Sequence, residues 1–138
     1  MKYMIMLFGS QRDYDAITGK GEGAWPVEEV AAMHAFMEKW NRELVESGEF
    51  VDAQGLTAPV HARRISLRDG APVVTDGPYA ETQEVLAGYT IVECDSFDRA
   101  TEIAARLADT PHPAGTTTQG EWHVDIRPIA ETTADFDL

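Results

Sequence analysis

The chain has 138 residues, with 24 acidic and 11 basic side chains and a formal charge of −13 at neutral pH. That length suits one domain, large enough to bury a core without staples, and the charge excludes long-range attraction to phosphate backbones or anionic membrane surfaces. One cysteine, Cys94, excludes an internal disulfide, and the apolar run from Tyr3 to Phe8 after Lys2 is too short for a signal peptide or a membrane span; the expectation is a single cytoplasmic domain over 1–138 with no nucleic-acid or membrane partner.

Residues 3–8 are apolar throughout, as in a strand buried on both faces, and Gly9-Ser10 ends the run. The stretch that follows, to Trp25, is rich in glycine and charge without periodicity, and about 17 residues is long for a connection, so it reads as a lid or an excursion. Pro26 pre-sets a first helical turn, and Val30, Met33, Met37, Trp40 and Leu44 recur at three- and four-residue spacing until Gly48, which predicts a helix over 27–47. Glu49 to Leu56 and His61 to Arg68 read as strands, with Asp69-Gly70 as a hairpin turn into Ala71 to Thr75. Leu86 to Cys94 predicts another strand. Asp95 or Ser96 caps a helix carrying Phe97, Ala100, Ala104 and Leu107, Trp122 to Ile129 alternates as a last strand, and 131–138 reads as a polar tail that frays.

The order βα, a run of β, then αβ predicts an α+β fold, a ferredoxin-like sheet (βαββαβ) with an extra hairpin. Two helices cover one sheet face only, and Ile65, Leu67, Ile91 and Ile126 spread apolar groups over the sheet, so a homodimer is expected.

Between two of the strands lie residues 74–84, Val-Thr-Asp-Gly-Pro-Tyr-Ala-Glu-Thr-Gln-Glu, which concentrate a turn signal and three carboxylates in one connection. Asp76-Gly77-Pro78 bends sharply, because Gly accepts positive φ and Pro fixes its own. Asp76 has two readings: a turn former whose carboxylate accepts backbone N–H groups, or a carboxylate that orients a histidine. Glu81 and Glu84 fit solvated loop charges better than a paired-carboxylate site. On the predicted helix His34 falls at the rim of the apolar stripe beside Asn41, where an imidazole, which titrates near neutrality, serves as general acid or base, or else hydrogen-bonds a neighbouring carbonyl.

Other patterns fail. Gly19-Lys20-Gly21 lacks the flanking residues of a phosphate loop, His34, His61, His112 and His123 share no ligand spacing with each other or with Cys94, and there is no Gly-x-Ser-x-Gly elbow, so neither metal nor cofactor is expected. Cys94 reads as a small core residue.

The 74–84 segment resembles the signature of the DGPF branch of the YCII-related family, Asp-Gly-Pro-Phe followed by Ala-Glu-Thr-Lys-Glu, with Tyr79 in place of Phe and Gln83 in place of Lys. The resemblance extends to the Met-Lys-Tyr-Met opening, Met33-His34-Ala35-Phe36, Gly88-Tyr89 and the closing Val124-Asp125-Ile126-Arg127-Pro128-Ile129. It implies a dimeric α/β barrel built from ferredoxin-like subunits, with a small-molecule pocket of unestablished chemistry and the helix histidine, here His34, in that pocket. Together with the reading of the residues it leaves His34 and Asp76 as the candidate catalytic pair and Asn41, Tyr79 and Glu81 as candidate pocket residues, and Asp109 resembles a pocket aspartate of shorter family members. Because relatives often accompany sigma factors of the extracytoplasmic-function group, it also implies an alternative, a regulatory or interaction protein. A structural dimer without ligand stands as a third.

Overall fold

The computed structural model describes residues 1–113 and 122–137. Strand β1 (Lys2–Gly9) lies inside a four-stranded sheet and buries Tyr3 and Ile5 on one face. Alternation along the strand sends Met4 and Met6 to the other face, where both stay half-buried. The chain continues through α1 (Gln11–Ile17), α2 (Val27–Ser47), β2 (Phe50–Gly55), the hairpin β3 (Arg63–Arg68) and β4 (Ala71–Asp76), β5 (Val85–Glu93), α3 (Phe97–Ala105) and β6 (Asp125–Pro128). The sheet order is β2-β5-β1-β6 with every neighbouring pair antiparallel, and β3 and β4 form a separate two-stranded sheet. The fold is thus mixed α+β.

One core holds the main sheet and the long helices together. Tyr3, Ile5 and Val92 from the sheet meet Trp40 and Leu44 of α2 and Ala100, Ile103 and Ala104 of α3. The indole N–H of Trp40, 1% exposed, donates to the carbonyl of Ile103 at 3.0 Å, so the group that burial would otherwise leave unpaired ties α2 to α3. Helix α2 stops where Gly48 turns left-handed at φ 82°, and α3 starts where Ser96 Oγ accepts the amide of Arg99 at 3.0 Å. The Arg99 guanidinium then grips both carboxylate oxygens of Glu49 at 2.8 Å, joining the α2–β2 connection to α3. Cys94 is buried at the end of β5, where desolvation pushes its thiol pKa up.

Several expectations change. The Ser10 to Trp25 stretch holds a two-turn helix, α1, whose start is a reciprocal cap: Ser10 Oγ accepts the amide of Asp13 and the Asp13 carboxylate accepts the amide of Ser10. Seven residues are too few to display a periodic stripe. Pro59 to His61 form a 3-10 turn, so β3 starts at Arg63, and α3 runs on into a 3-10 turn over Arg106–Asp109. The last strand is four residues long and, among the described residues, is an edge strand paired to β1. Between Glu131 and Asp137 the Asp135 carboxylate accepts the amides of Glu131 and Thr132 alongside a 3-10 turn, Thr133–Asp137, which does not test the expectation of a fraying tail. Ile65 and Leu67 lie on the separate hairpin, where they are 73% and 74% exposed, not on the main sheet.

Candidate functional site

Between α2 and the sheet opens a cleft of about 640 Å³. Helix α2 supplies Met33, His34, Met37, Glu38 and Asn41, in keeping with the three- and four-residue repeat that puts them on one side. Leu7 of β1, Ala53 of β2 and the stretch from Ala87 to Thr90 in β5 form the floor, and Tyr14 of α1 closes one side. The Tyr14 hydroxyl donates to the carbonyl of Leu56 at 2.8 Å and stands 3.3 Å from that of Ala87, so this one side chain latches α1 across the β2 and β5 ends. Burial raises the Tyr14 pKa, which keeps the phenol protonated and the latch donating.

Asn41 is a half-buried polar residue of the cleft lining. Its amide nitrogen donates to the Met37 carbonyl at 3.0 Å, while Oδ1 is buried without a hydrogen-bond partner among the described residues, an arrangement that costs about 1–3 kcal/mol if nothing fills it. His34 is exposed at the open rim, about two helical turns before Asn41 on the same side of α2, and Glu38 lies exposed at the same rim. The lining contains no lysine or arginine among the described residues, and the sequence from 114 to 121 contains none either.

The other sequence candidates are placed elsewhere. Asp76 ends β4 opposite Arg63, with Nε 2.8 Å from its carboxylate, both side chains exposed, and it does not line the cleft. As a turn former Asp76 cannot accept from the backbone two residues on, because that residue is Pro78, which has no N–H. The bend itself is there: Gly77 has φ 53° and donates its amide to Ala62 at 2.8 Å. Tyr79 is half-buried beneath the Arg64 guanidinium, 5.3 Å from its ring centroid. Glu81 sits 3.9 Å from Arg12 Nε and accepts the Arg12 amide through its carbonyl, which fastens the signature loop to α1. Asp109 is exposed at the end of the 3-10 turn after α3, outside the cleft lining.

Of the candidates, then, His34 and Asn41 share the cleft, while Asp76, Tyr79 and Glu81 organise the hairpin base and its seam with α1. Sequence reasoning missed Tyr14, because its signal is a single aromatic residue in a helix too short to recognise, and Gly88, noted only as part of a motif. No group of three or more His, Cys, Asp or Glu side chains is placed to hold a metal among the described residues, and no described helix is long and apolar enough to cross a membrane.

A family model described as the YCII-related domain matches residues 1–117. The chain belongs to the YCII-related family. The match takes in every residue lining the cleft, so in this YCII-related chain the cleft is part of the family's domain and not an addition to it. An uncharacterized protein of Rhizobium meliloti (strain 1021) is 29% identical over 107 residues, which span 78% of this chain and 81% of the relative.

Proposed function

We propose that this YCII-related chain binds a small molecule in the cleft between α2 and the sheet, and that the ligand is largely apolar, carries an O–H or N–H group, and is neutral or cationic. The observation that carries this reading is Asn41, a residue of the cleft lining whose buried Oδ1 has no hydrogen-bond partner among the described residues: an occupant whose donor reached that acceptor would relieve the cost of leaving it unmade. Met33, Met37, Leu7 and Ala53 offer apolar contact, and a carboxylate or phosphate would find no lysine or arginine to pair with while meeting Glu38 at the rim. His34 is the group at the mouth able to take or give a proton at the ligand's exposed end, which makes cofactor-independent proton transfer the reaction class for the site. Asp76, paired with Arg63, is assigned to holding the hairpin base and not to orienting His34.

We read the strand order β2-β5-β1-β6 with its two crossing helices as the ferredoxin-like arrangement, the signature loop as that of the DGPF branch, and the protein as a homodimer that covers its open sheet face.

Mass spectrometry of the protein as purified, under native and denaturing conditions, tests the cleft reading. A neutral or basic small molecule that is released from the wild type and absent from a folded Asn41→Leu variant is the expected result. A ligand retained equally by both overturns it, as does a panel of matched aryl alcohol, amine and carboxylate probes of which only the carboxylate binds.

A further inference from the structure

Two glycines stand directly opposite one another on the floor of the cleft, Gly55 at the end of β2 and Gly88 in β5. Gly88 is in turn opposite Leu7 of β1, which also lines the cleft, and directly opposed residues share a face. The helix-facing side of the sheet is therefore bare backbone beside Leu7. A glycine in a strand marks a bulge, or the close approach of another backbone or of a ligand. For Gly88 the Gln54 carbonyl is that close backbone. Gly55 has no such reason: its φ is not positive, the irregularity in β2 lies between Phe50 and Asp52, and a Cβ on Gly55 would meet nothing within 4 Å.

The residues across the cleft fall into levels. Helix α2 and β5 run in the same direction, since β2 doubles back on α2 at Gly48 and pairs antiparallel with β5. The Glu93 amide donates to the Glu49 carbonyl, which sets where the two elements are level. Back from there, three strand residues to Thr90 span about 10 Å, and seven helical residues from Gly48 to Asn41 span about the same. A further step of about 6 Å, two strand residues or one helical turn, reaches Gly88 on the floor and Met37 above it. Met33 lies one turn beyond. Past Thr90 in the other direction, Val92 packs in the core with Trp40 and Leu44, so the Thr90 level is the closed end. Thr90 is 3% exposed. Its hydroxyl has no hydrogen-bond partner among the described residues and, unlike Asn41 Oδ1, is not cut off from the surface, so a molecule in the cleft can reach it.

Building on the reading of the cleft as a small-molecule site, we propose that its occupant is a planar aromatic compound. The ring lies between the Met33 and Met37 thioethers and the bare backbone of Gly55 and Gly88, and a hydroxyl or amino substituent on it is held at the closed end by Thr90. A flat floor touches every atom of a flat ring, whereas a puckered ring or branched chain meets it at a few points. Thioether sulfur packs favourably against aromatic rings. A threonine hydroxyl both donates and accepts, which suits a phenol or an aromatic amine.

Methyl NMR of the whole chain carrying 13C-methyl methionine, titrated with β-naphthol and its saturated counterpart β-decalol, tests this. β-Naphthol is expected to move the Met33 and Met37 methyl signals upfield through its ring current and to bind at least tenfold more tightly than β-decalol. Gly55→Ala, whose added methyl has free space in the protein, is expected to keep the circular dichroism and urea midpoint of the wild type while weakening β-naphthol at least tenfold. Thr90→Val, of nearly the same shape, is expected to weaken β-naphthol at least tenfold and to leave β-methylnaphthalene, which lacks the hydroxyl, unchanged. Equal binding of the two alcohols with both methionine signals moved leaves the small-molecule reading standing and overturns the aromatic one. Gly55→Ala or Thr90→Val binding β-naphthol as the wild type does overturns it too. Met33 and Met37 signals that stay in place with every probe overturn both readings.

Discussion

The carbonyl oxygen of Gln54 lies 2.9 Å from the point where a Cβ on Gly88 would stand, with the Gly55 Cα at 3.4 Å. The contact is between backbones of paired strands, so no rotamer change relieves it. Strand β2 can close on β5 at the floor of the cleft only because position 88 has no side chain.

Replacing Gly88 with alanine must therefore push β2 away from β5. Gly88→Ala is expected to lower unfolding free energy by about 1–3 kcal/mol in urea denaturation, and to weaken any cleft ligand through the displaced floor. Stability within error of the wild type would show that the strands separate freely.

Asn41→Leu reverses the usual expectation for a half-buried polar residue. It loses the bond to the Met37 carbonyl but also removes an unpaired buried acceptor. The two effects are each about 1 kcal/mol or somewhat more and opposite in sign, so the ligand-free variant should match the wild type in urea unfolding to within about 1 kcal/mol. Ligand retention should fall.

Tyr14→Phe removes the latch while keeping the ring. The loss of one hydroxyl bond should cost about 1 kcal/mol. Because the Leu56 amide donates to Ala87 beside the latched carbonyls, that amide should exchange with deuterium faster in the variant.

The Glu49–Arg99 pair gives a pH dependence. Hydrogen bonding from Arg99 is the largest of the effects that hold the Glu49 carboxyl below its ordinary pKa, so the unfolded chain binds that proton more readily than the folded one. The stabilisation is complete above the ordinary carboxylate range and is lost as pH falls through the lowered folded value. The difference between wild type and Arg99→Met in urea unfolding should be about 1 kcal/mol at neutral pH, given that Arg99 is 44% exposed. It should shrink as pH falls below about 4.

Asp76→Asn should cost no more than about 0.5 kcal/mol, as expected for an exposed ion pair, and should leave cleft binding unchanged. Loss of a ligand in this variant, with the fold intact by circular dichroism, would return Asp76 to partnership with His34.

Periodicity made α2 legible to the residue, because Val30, Met33, Met37, Trp40 and Leu44 repeat over about four turns between Pro26 and Gly48. The Asp69-Gly70 turn was equally plain; both residues take positive φ there, at 49° and 80°. Along the strands only the ends shifted, by one to three residues. Helix α1 was hidden because two turns carry no stripe, although Ser10 and Asp13 stood at capping distance. For the candidate site, the helical wheel was enough to put His34 and Asn41 side by side. It could not show that Arg63, thirteen residues before Asp76 in sequence, is directly opposite it across a hairpin. Cross-strand register also separates Ile65 and Leu67 from the main sheet, and no local pattern encodes that separation.

A chain with one thiol, buried and held in its protonated form, reacts slowly with maleimides and nitroxide reagents near neutral pH, since the thiolate is the nucleophile. Cys94 therefore leaves the outside of the protein chemically blank. A cysteine introduced anywhere on the exposed hairpin becomes the preferred labelling site without removing the native one, and distances between two copies become measurable by spin or fluorescence methods on an otherwise unaltered core.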